Sequence, residues 1–135
     1  MAEPKAPARP LSPHLQIYRW PITMLMSILH RVTGGALYVG TVLLAAWLLC
    51  AAAGPVCFAW AQWFAGTPIG LLILFGYTLA LMHHMLGGIR HFVWDLGYGL
   101  GPVIRDRWAY ANIIGSIGLT LLIWIAGLLI SFSAG

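Results

Sequence analysis

Residues 83–95 read HHMLGGIRHFVWD and close an otherwise apolar segment, carrying ionisable side chains into what reads as a membrane-spanning helix. On a helix of 3.6 residues per turn, Gly88 and His91 fall within about 40° of His84. Asp95 follows one turn later on the same face. His84 lies nearly two turns, roughly 10 Å, deeper than His91, so we expect its imidazole inside the hydrocarbon. An ionisable group at that depth indicates a functional site.

Haem is one group that such a face could hold. Neutral imidazole is a good axial ligand for haem iron, and a glycine one turn away removes the side chain that would collide with a flat macrocycle. His84 with Gly88 is therefore a candidate haem wall. His83 points about 100° away, toward Gly87 and Arg90, and remains the alternative ligand. A second interpretation is a histidine that hydrogen-bonds a neighbouring helix or lines a polar crevice.

The composition identifies the solvent. The chain has 135 residues, of which 61% are hydrophobic and only 7% charged, and its mean hydropathy is +0.88. A soluble domain of this length could not hide so much apolar surface, so the sequence predicts an all-α integral membrane protein. The net charge of +4 comes from basic residues at the ends of apolar segments, which is a topology signal and no indication of nucleic-acid binding.

The chain divides into a short tail and a bundle of three transmembrane helices. The predicted parts are a cytoplasmic tail and interfacial segment over 1–20 and a membrane domain over 21–135, with spans at about 32–53, 68–93 and 109–132. Residues 54–66 contain Gly, Pro and Trp but no charge, which predicts a short outer loop. Residues 97–102 are rich in glycine and predict a turn.

Charge placement predicts the orientation. Basic residues precede the first span and lie between the second and third, whereas the outer loop and the C-terminal tail carry none. The positive-inside rule then places the N-terminus in the cytoplasm and the C-terminus in the periplasm. The first ten residues resemble neither a secretory signal nor a transit peptide, which favours a bacterial inner membrane. Cys50 and Cys57 are interpreted as small apolar residues, with a bridge near the outer surface as the alternative.

A second candidate site lies on the cytoplasmic rim. Ser27 and Arg31 are spaced i, i+4, so their hydroxyl and guanidinium could hydrogen-bond a quinone carbonyl, with Arg31 stabilising the negative charge of reduction. Alternatively, Arg31 snorkels to lipid phosphate and Ser27 bonds back to its own helix. Cationic groups at this rim are candidate contacts of haem propionates: His30, Arg31, Arg90 and His91. Asp95 is expected to form a salt bridge with Arg90 or, alternatively, to relay protons.

Three segments carry a family resemblance. RPLSPHLQIY at 9–18, SILHRVTG at 27–34 and HMLGGIRH at 84–91, followed by Trp94-Asp95, closely resemble the cytochrome b membrane-anchor subunit of succinate dehydrogenase, respiratory complex II. The resemblance implies that Ser27 and Arg31 contact ubiquinone near the cytoplasmic face. It also implies that His84 is one axial ligand of haem b.

The same resemblance implies partners. A smaller three-span anchor subunit would supply the second haem ligand, a flavoprotein subunit would oxidise succinate, and an iron–sulfur subunit would pass electrons to the quinone. His83, beside the presumed ligand, departs from the family pattern. The alternatives are a fumarate reductase anchor, a haem-free quinone anchor, or a non-redox three-helix transport or assembly subunit.

Overall fold

The computed structural model describes residues 18–133, which form four α-helices and contain no strand. The helices are α1 (Ile22–Ala53), α2 (Pro55–Gly66), α3 (Pro68–Asp95) and α4 (Pro102–Ser133). Helices α1, α3 and α4 are long and apolar enough to cross a membrane. The predicted all-α fold with three spans is thereby confirmed. Most of the predicted tail and interfacial segment, residues 1–17, lies outside the described residues.

Helix α1 starts ten residues before the predicted span over 32–53. It is one continuous helix of 32 residues, about 48 Å long at helical rise. The hydrocarbon core is only about 30 Å thick. Helix α1 is therefore longer than a perpendicular span requires.

The connection between α1 and α3 is a helix, so the prediction of a loop at 54–66 was wrong. Gly54 has φ of +122°, a conformation that favours glycine, and Pro55 starts α2, where its missing N–H has no helical partner to lose. A disulfide between Cys50 and Cys57, with Cα atoms 4.9 Å apart, ties α2 to α1. The alternative of a bridge thus holds, and the interpretation of both cysteines as small apolar residues was wrong.

Helix α3 packs between α1 and α4 and positions the residues of interest. It begins where predicted, at Pro68, and the Thr67 side chain accepts a hydrogen bond from the backbone N–H of Gly70 at 3.1 Å. The predicted turn after α3 is confirmed. Gly97 and Gly99 adopt positive φ values of 81° and 73°, which glycine tolerates without steric cost.

The bundle is more polar inside than outside. Its buried polar or charged residues are His83, Arg90, Asn112, Ser116 and Thr120, whereas its buried hydrophobic residues are Met26, Ala80 and Ala109. Leucine, isoleucine and valine side chains cover most of the outer surface. This arrangement suits a lipid solvent, because polar side chains that would be unsatisfied in hydrocarbon can bond across helix interfaces.

Candidate functional site

Two histidine rings interlock where α1 crosses α3. The imidazoles of His30 and His84 stack with centroids 4.0 Å apart and planes inclined by 16°. Each ring lies over a glycine of the opposite helix: a Cβ on Gly34 would approach Cε1 of His84 to 3.1 Å, and a Cβ on Gly87 would overlap the ring of His30. The two glycines thus permit the close approach of the two helices.

His84 has its proton position set by α1. Its Nδ1 lies 3.1 Å from the backbone oxygen of His30, and a carbonyl can only accept, so Nδ1 carries the proton. Thr33 Oγ1 lies 3.4 Å from the same nitrogen. Nε2 of this half-buried residue makes no hydrogen bond among residues 18–133 and is not enclosed by them. In the neutral imidazole of His84, Nε2 is therefore the nitrogen with the free lone pair.

His83 faces the opposite interior, between α3 and α4. It is 7% exposed, and its Nδ1 lies 3.2 Å from Nδ2 of Asn112 and 3.5 Å from Oγ of Ser116. The Asn112 amide also donates to the backbone oxygen of His83 at 3.4 Å. Because Nδ1 accepts from an amide N–H, the proton of neutral His83 resides on Nε2. That atom is enclosed and has no partner among the described residues.

The predicted face of α3 is open at its other positions. A Cβ on Gly88 would meet no atom within 4 Å, and His91 and Asp95 are exposed. His91 nevertheless joins the histidine pair, with its ring centroid 5.3 Å from that of His30. Three of the predicted residues therefore form one cluster, in which His84 and His91 of α3 lie beside His30 of α1.

Arg90 does not form the expected salt bridge with Asp95, and that prediction was wrong. Five positions correspond to about 140° around a helix, so the two side chains point in different directions. Arg90 is 3% exposed, and its Cζ lies 4.9 Å from the centroid of the Trp94 ring. Its Nε and Nη1 have no hydrogen-bond partner within the described chain, where the ion pair joins Arg105 to Asp106 at 3.8 Å.

Ser27 and Arg31 are both exposed, one turn apart on α1. The Ser27 hydroxyl makes no hydrogen bond to any residue of 18–133, whereas Thr33 on the same helix bonds back to Leu29 at 2.8 Å. The alternative in which Ser27 bonds its own helix is therefore not found in this structure. Its hydroxyl is available to a molecule outside the chain.

Several residues of the clusters escaped the sequence interpretation. Asn112, Ser116 and Thr120 recur at i, i+4 and i+8 in the third span, which had seemed uniformly apolar. That spacing, one polar residue per turn, was the available signal for a buried helix interface. Thr33, beside His84, had no comparable signal, because its role depends on a contact between distant segments.

Comparison with known proteins covers nearly the whole chain. The model of the succinate dehydrogenase/fumarate reductase transmembrane subunit family matches residues 5–131. The chain is similar to the succinate dehydrogenase cytochrome b556 subunit of Paracoccus denitrificans, with 43% identity over 122 residues, covering 90% of this chain and 94% of that protein.

Two further relatives agree with this comparison. The cytochrome b556 subunit of Rickettsia felis is 38% identical over 117 residues, covering 87% of this chain and 91% of that protein. The mitochondrial succinate dehydrogenase cytochrome b560 subunit of Sus scrofa is 45% identical over 94 residues, covering 68% of this chain and 56% of that protein. The resemblance carried by the three sequence segments is thereby confirmed.

Proposed function

This chain belongs to the family of succinate dehydrogenase and fumarate reductase transmembrane subunits, and from that premise we propose that it is the larger membrane anchor of a succinate:ubiquinone oxidoreductase. It holds haem b together with a second three-span anchor subunit. It passes electrons from an iron–sulfur subunit to ubiquinone. A flavoprotein subunit oxidises succinate, so this chain belongs to an oxidoreductase without oxidising succinate itself.

The axial ligand contributed by this chain is His84. The observation that carries this assignment is the opposite proton placement on two adjacent histidines. Iron needs an unprotonated imidazole nitrogen with access to the metal. Nε2 of His84 meets both conditions, whereas Nε2 of His83 is protonated and enclosed between α3 and α4. A hydrogen bond from Nδ1 to a backbone carbonyl is also the usual support of a metal-binding histidine.

The second axial ligand comes from another chain. The His30 ring stacks 4.0 Å beside His84 and nearly parallel to it, so it lies on the same side of any metal that His84 binds. His83 leaves α3 in another direction. Bound haem supplies a one-electron carrier, and this chain's residues orient one of its ligands. A partner anchor would supply the second ligand.

The rim above His84 suits the propionates of haem. Arg31 and His91 are exposed there, and Nε2 of His30 is enclosed without a partner among the described residues. Buried Arg90 adds two unpartnered guanidinium nitrogens. Unpaired cationic and donor groups without an internal carboxylate are stabilised when an anionic group binds beside them.

Ser27 and Arg31 form this chain's side of the quinone pocket. Their exposed side chains project from α1 one turn apart, and the Ser27 hydroxyl is free to donate to a quinone carbonyl. Arg31 keeps its charge throughout reduction and stabilises the negative charge that develops on the quinone oxygen. Because neither residue is enclosed by this chain, the iron–sulfur subunit and the second anchor complete the pocket.

We place the protein in the bacterial inner membrane with its N-terminus cytoplasmic and its C-terminus periplasmic. The positive-inside pattern supports this orientation. The disulfide between Cys50 and Cys57 supports it independently, because α2 then lies on the periplasmic side, where disulfides persist.

His84→Leu tests the ligand, with His83→Leu as the matched control on the neighbouring position. In the purified complex, His84→Leu abolishes or strongly alters the reduced-minus-oxidised haem spectrum while the subunits still assemble. His83→Leu keeps the spectrum. A normal spectrum in His84→Leu, or its loss in His83→Leu alone, refutes the assignment.

Ser27→Ala and Arg31→Leu test the quinone site. Both variants slow the rate of ubiquinone reduction by tenfold or more, because they remove groups that contact quinone. The rate of succinate oxidation with an artificial acceptor stays within twofold of that of the unaltered complex. Thr41→Val, an exposed change farther along α1, serves as the control. Equal loss of both activities indicates failed assembly and contradicts the proposed contact.

A further inference from the structure

Resting on the assignment of His84 as the haem ligand, we infer that Thr33 is a positioning residue that adjusts the reduction potential of the haem. Thr33 lies on α1, 51 positions from His84 in sequence, and its Oγ1 faces Nδ1 of that histidine. Its action runs through the imidazole nitrogen that faces away from the iron. Hydrogen bonds at that nitrogen change the basicity of the imidazole ring and, through it, the reduction potential of the haem iron.

The geometry gives Thr33 a fixed hydroxyl direction. Oγ1 lies 2.8 Å from the backbone oxygen of Leu29 and 3.0 Å from that of His30, so its single proton is donated to the backbone. The remaining lone pairs are free to accept. Nδ1 of His84 lies 3.4 Å away and carries a proton, so Oγ1 is a second acceptor beside the His30 oxygen at 3.1 Å.

The surrounding contacts keep this arrangement rigid. His84 is held on its flat side by the stacked ring of His30 and at its edge by Gly34, where a Cβ would come within 3.1 Å of Cε1. A small change in hydrogen bonding at Nδ1 is therefore transmitted to the ring's electronic character without much movement. Two acceptors on one N–H raise the electron density that His84 donates to iron, which stabilises the ferric state.

Removing the Thr33 acceptor consequently favours the ferrous state. Thr33→Val keeps the branched shape and deletes the hydroxyl. Thr33→Ser restores an oxygen in the same position. Thr41 provides a matched control on the same helix, because its Oγ1 makes the same bond to the backbone, 2.8 Å to Leu37, but is exposed and distant from the histidines.

The test is a potentiometric titration of the haem in the purified complex, with the ferric EPR signal as a second readout of ligand orientation. Thr33→Val retains haem and raises the ferrous-to-ferric ratio at fixed potential by two- to tenfold, up to about 59 mV for one electron. Thr33→Ser and Thr41→Val titrate like the unaltered complex. Loss of haem in Thr33→Val, with both other variants normal, contradicts an effect confined to the reduction potential and overturns the inference.

An unchanged potential and EPR signal in Thr33→Val overturns the inference while the haem assignment stands. A haem that survives His84→Leu with its potential unaltered refutes the proposed ligand, and the role of Thr33 falls with it. A shift of the reduction potential of equal size in Thr41→Val shows that the effect is not specific to the hydroxyl beside His84. That result likewise overturns the role of Thr33.

Discussion

The two interfaces of α3 treat adjacent histidines in opposite ways. Toward α4, His83 accepts a hydrogen bond on Nδ1 and is enclosed, so its ring serves helix packing and neither nitrogen is accessible. Toward α1, His84 donates from Nδ1 and leaves Nε2 free. The groups that a helix contacts, a side-chain amide on one side and a backbone carbonyl on the other, decide which imidazole can bind a metal.

The largest expected effect comes from filling the glycine under His30. Gly87→Leu places a side chain where the His30 ring lies, so α1 and α3 separate and both haem and quinone reduction are lost. Haem content and subunit composition of the purified complex measure this loss. Gly76→Leu, a change into open space on the same helix, keeps the assembled complex. Normal haem content in Gly87→Leu contradicts the interlocked crossing.

A smaller effect is expected from breaking the other interface. Asn112→Leu removes the partner of His83 and leaves its Nδ1 unpaired, which lowers the free energy of unfolding by roughly 1 kcal/mol. The haem spectrum stays normal, because His84 lies on the opposite interface. Thermal stability of the complex measures the first expectation and optical difference spectra the second.

A double-mutant cycle sharpens that comparison. If the His83–Asn112 contact is direct, the losses caused by His83→Leu and Asn112→Leu are less than additive when the two changes are combined. Strict additivity shows that the two side chains act independently and contradicts the proton placement on His83.

The smallest effect concerns a contact away from both histidines. Trp124 donates from Nε1 to Oγ1 of Thr78 at 3.3 Å, and its ring packs against Phe75. Trp124→Phe keeps the aromatic contact and loses one hydrogen bond, so the free energy of unfolding falls by about 0.6 kcal/mol and the melting temperature falls only slightly. Haem potential and quinone activity do not change. A change in either shows that the α3–α4 interface influences the haem side, against the separation drawn between the interfaces.

The sequence predicted the elements better than their contacts. Apolar runs and charge placement are sufficient for three spans, because lipid demands continuous helices with satisfied backbones. Helix α2 was predicted as a loop at 54–66 because uncharged aromatic residues with Pro and Gly suit both a turn and an interfacial helix.

The two histidines could not be separated from sequence for a related reason. Helical geometry gives the angle between His83 and His84 but not the identity of the groups that each meets. Asn112 and the backbone oxygen of His30 come from segments 29 and 54 positions away. Only the packing of three helices brings these partners together, and with them the position of each proton.

The length of α1 has a consequence for where chemistry takes place. Helix α1 is roughly 48 Å long and exceeds the hydrocarbon core by about 18 Å. Because Arg31 is charged, the amino-terminal turns of α1 are the part that extends beyond the hydrocarbon core. Ser27 and Arg31 then stand at the level of the lipid headgroups. Given the proposed quinone site and the proposed orientation, a quinone held there would take up hydrogen ions directly from cytosolic water and would need no proton channel through the bilayer.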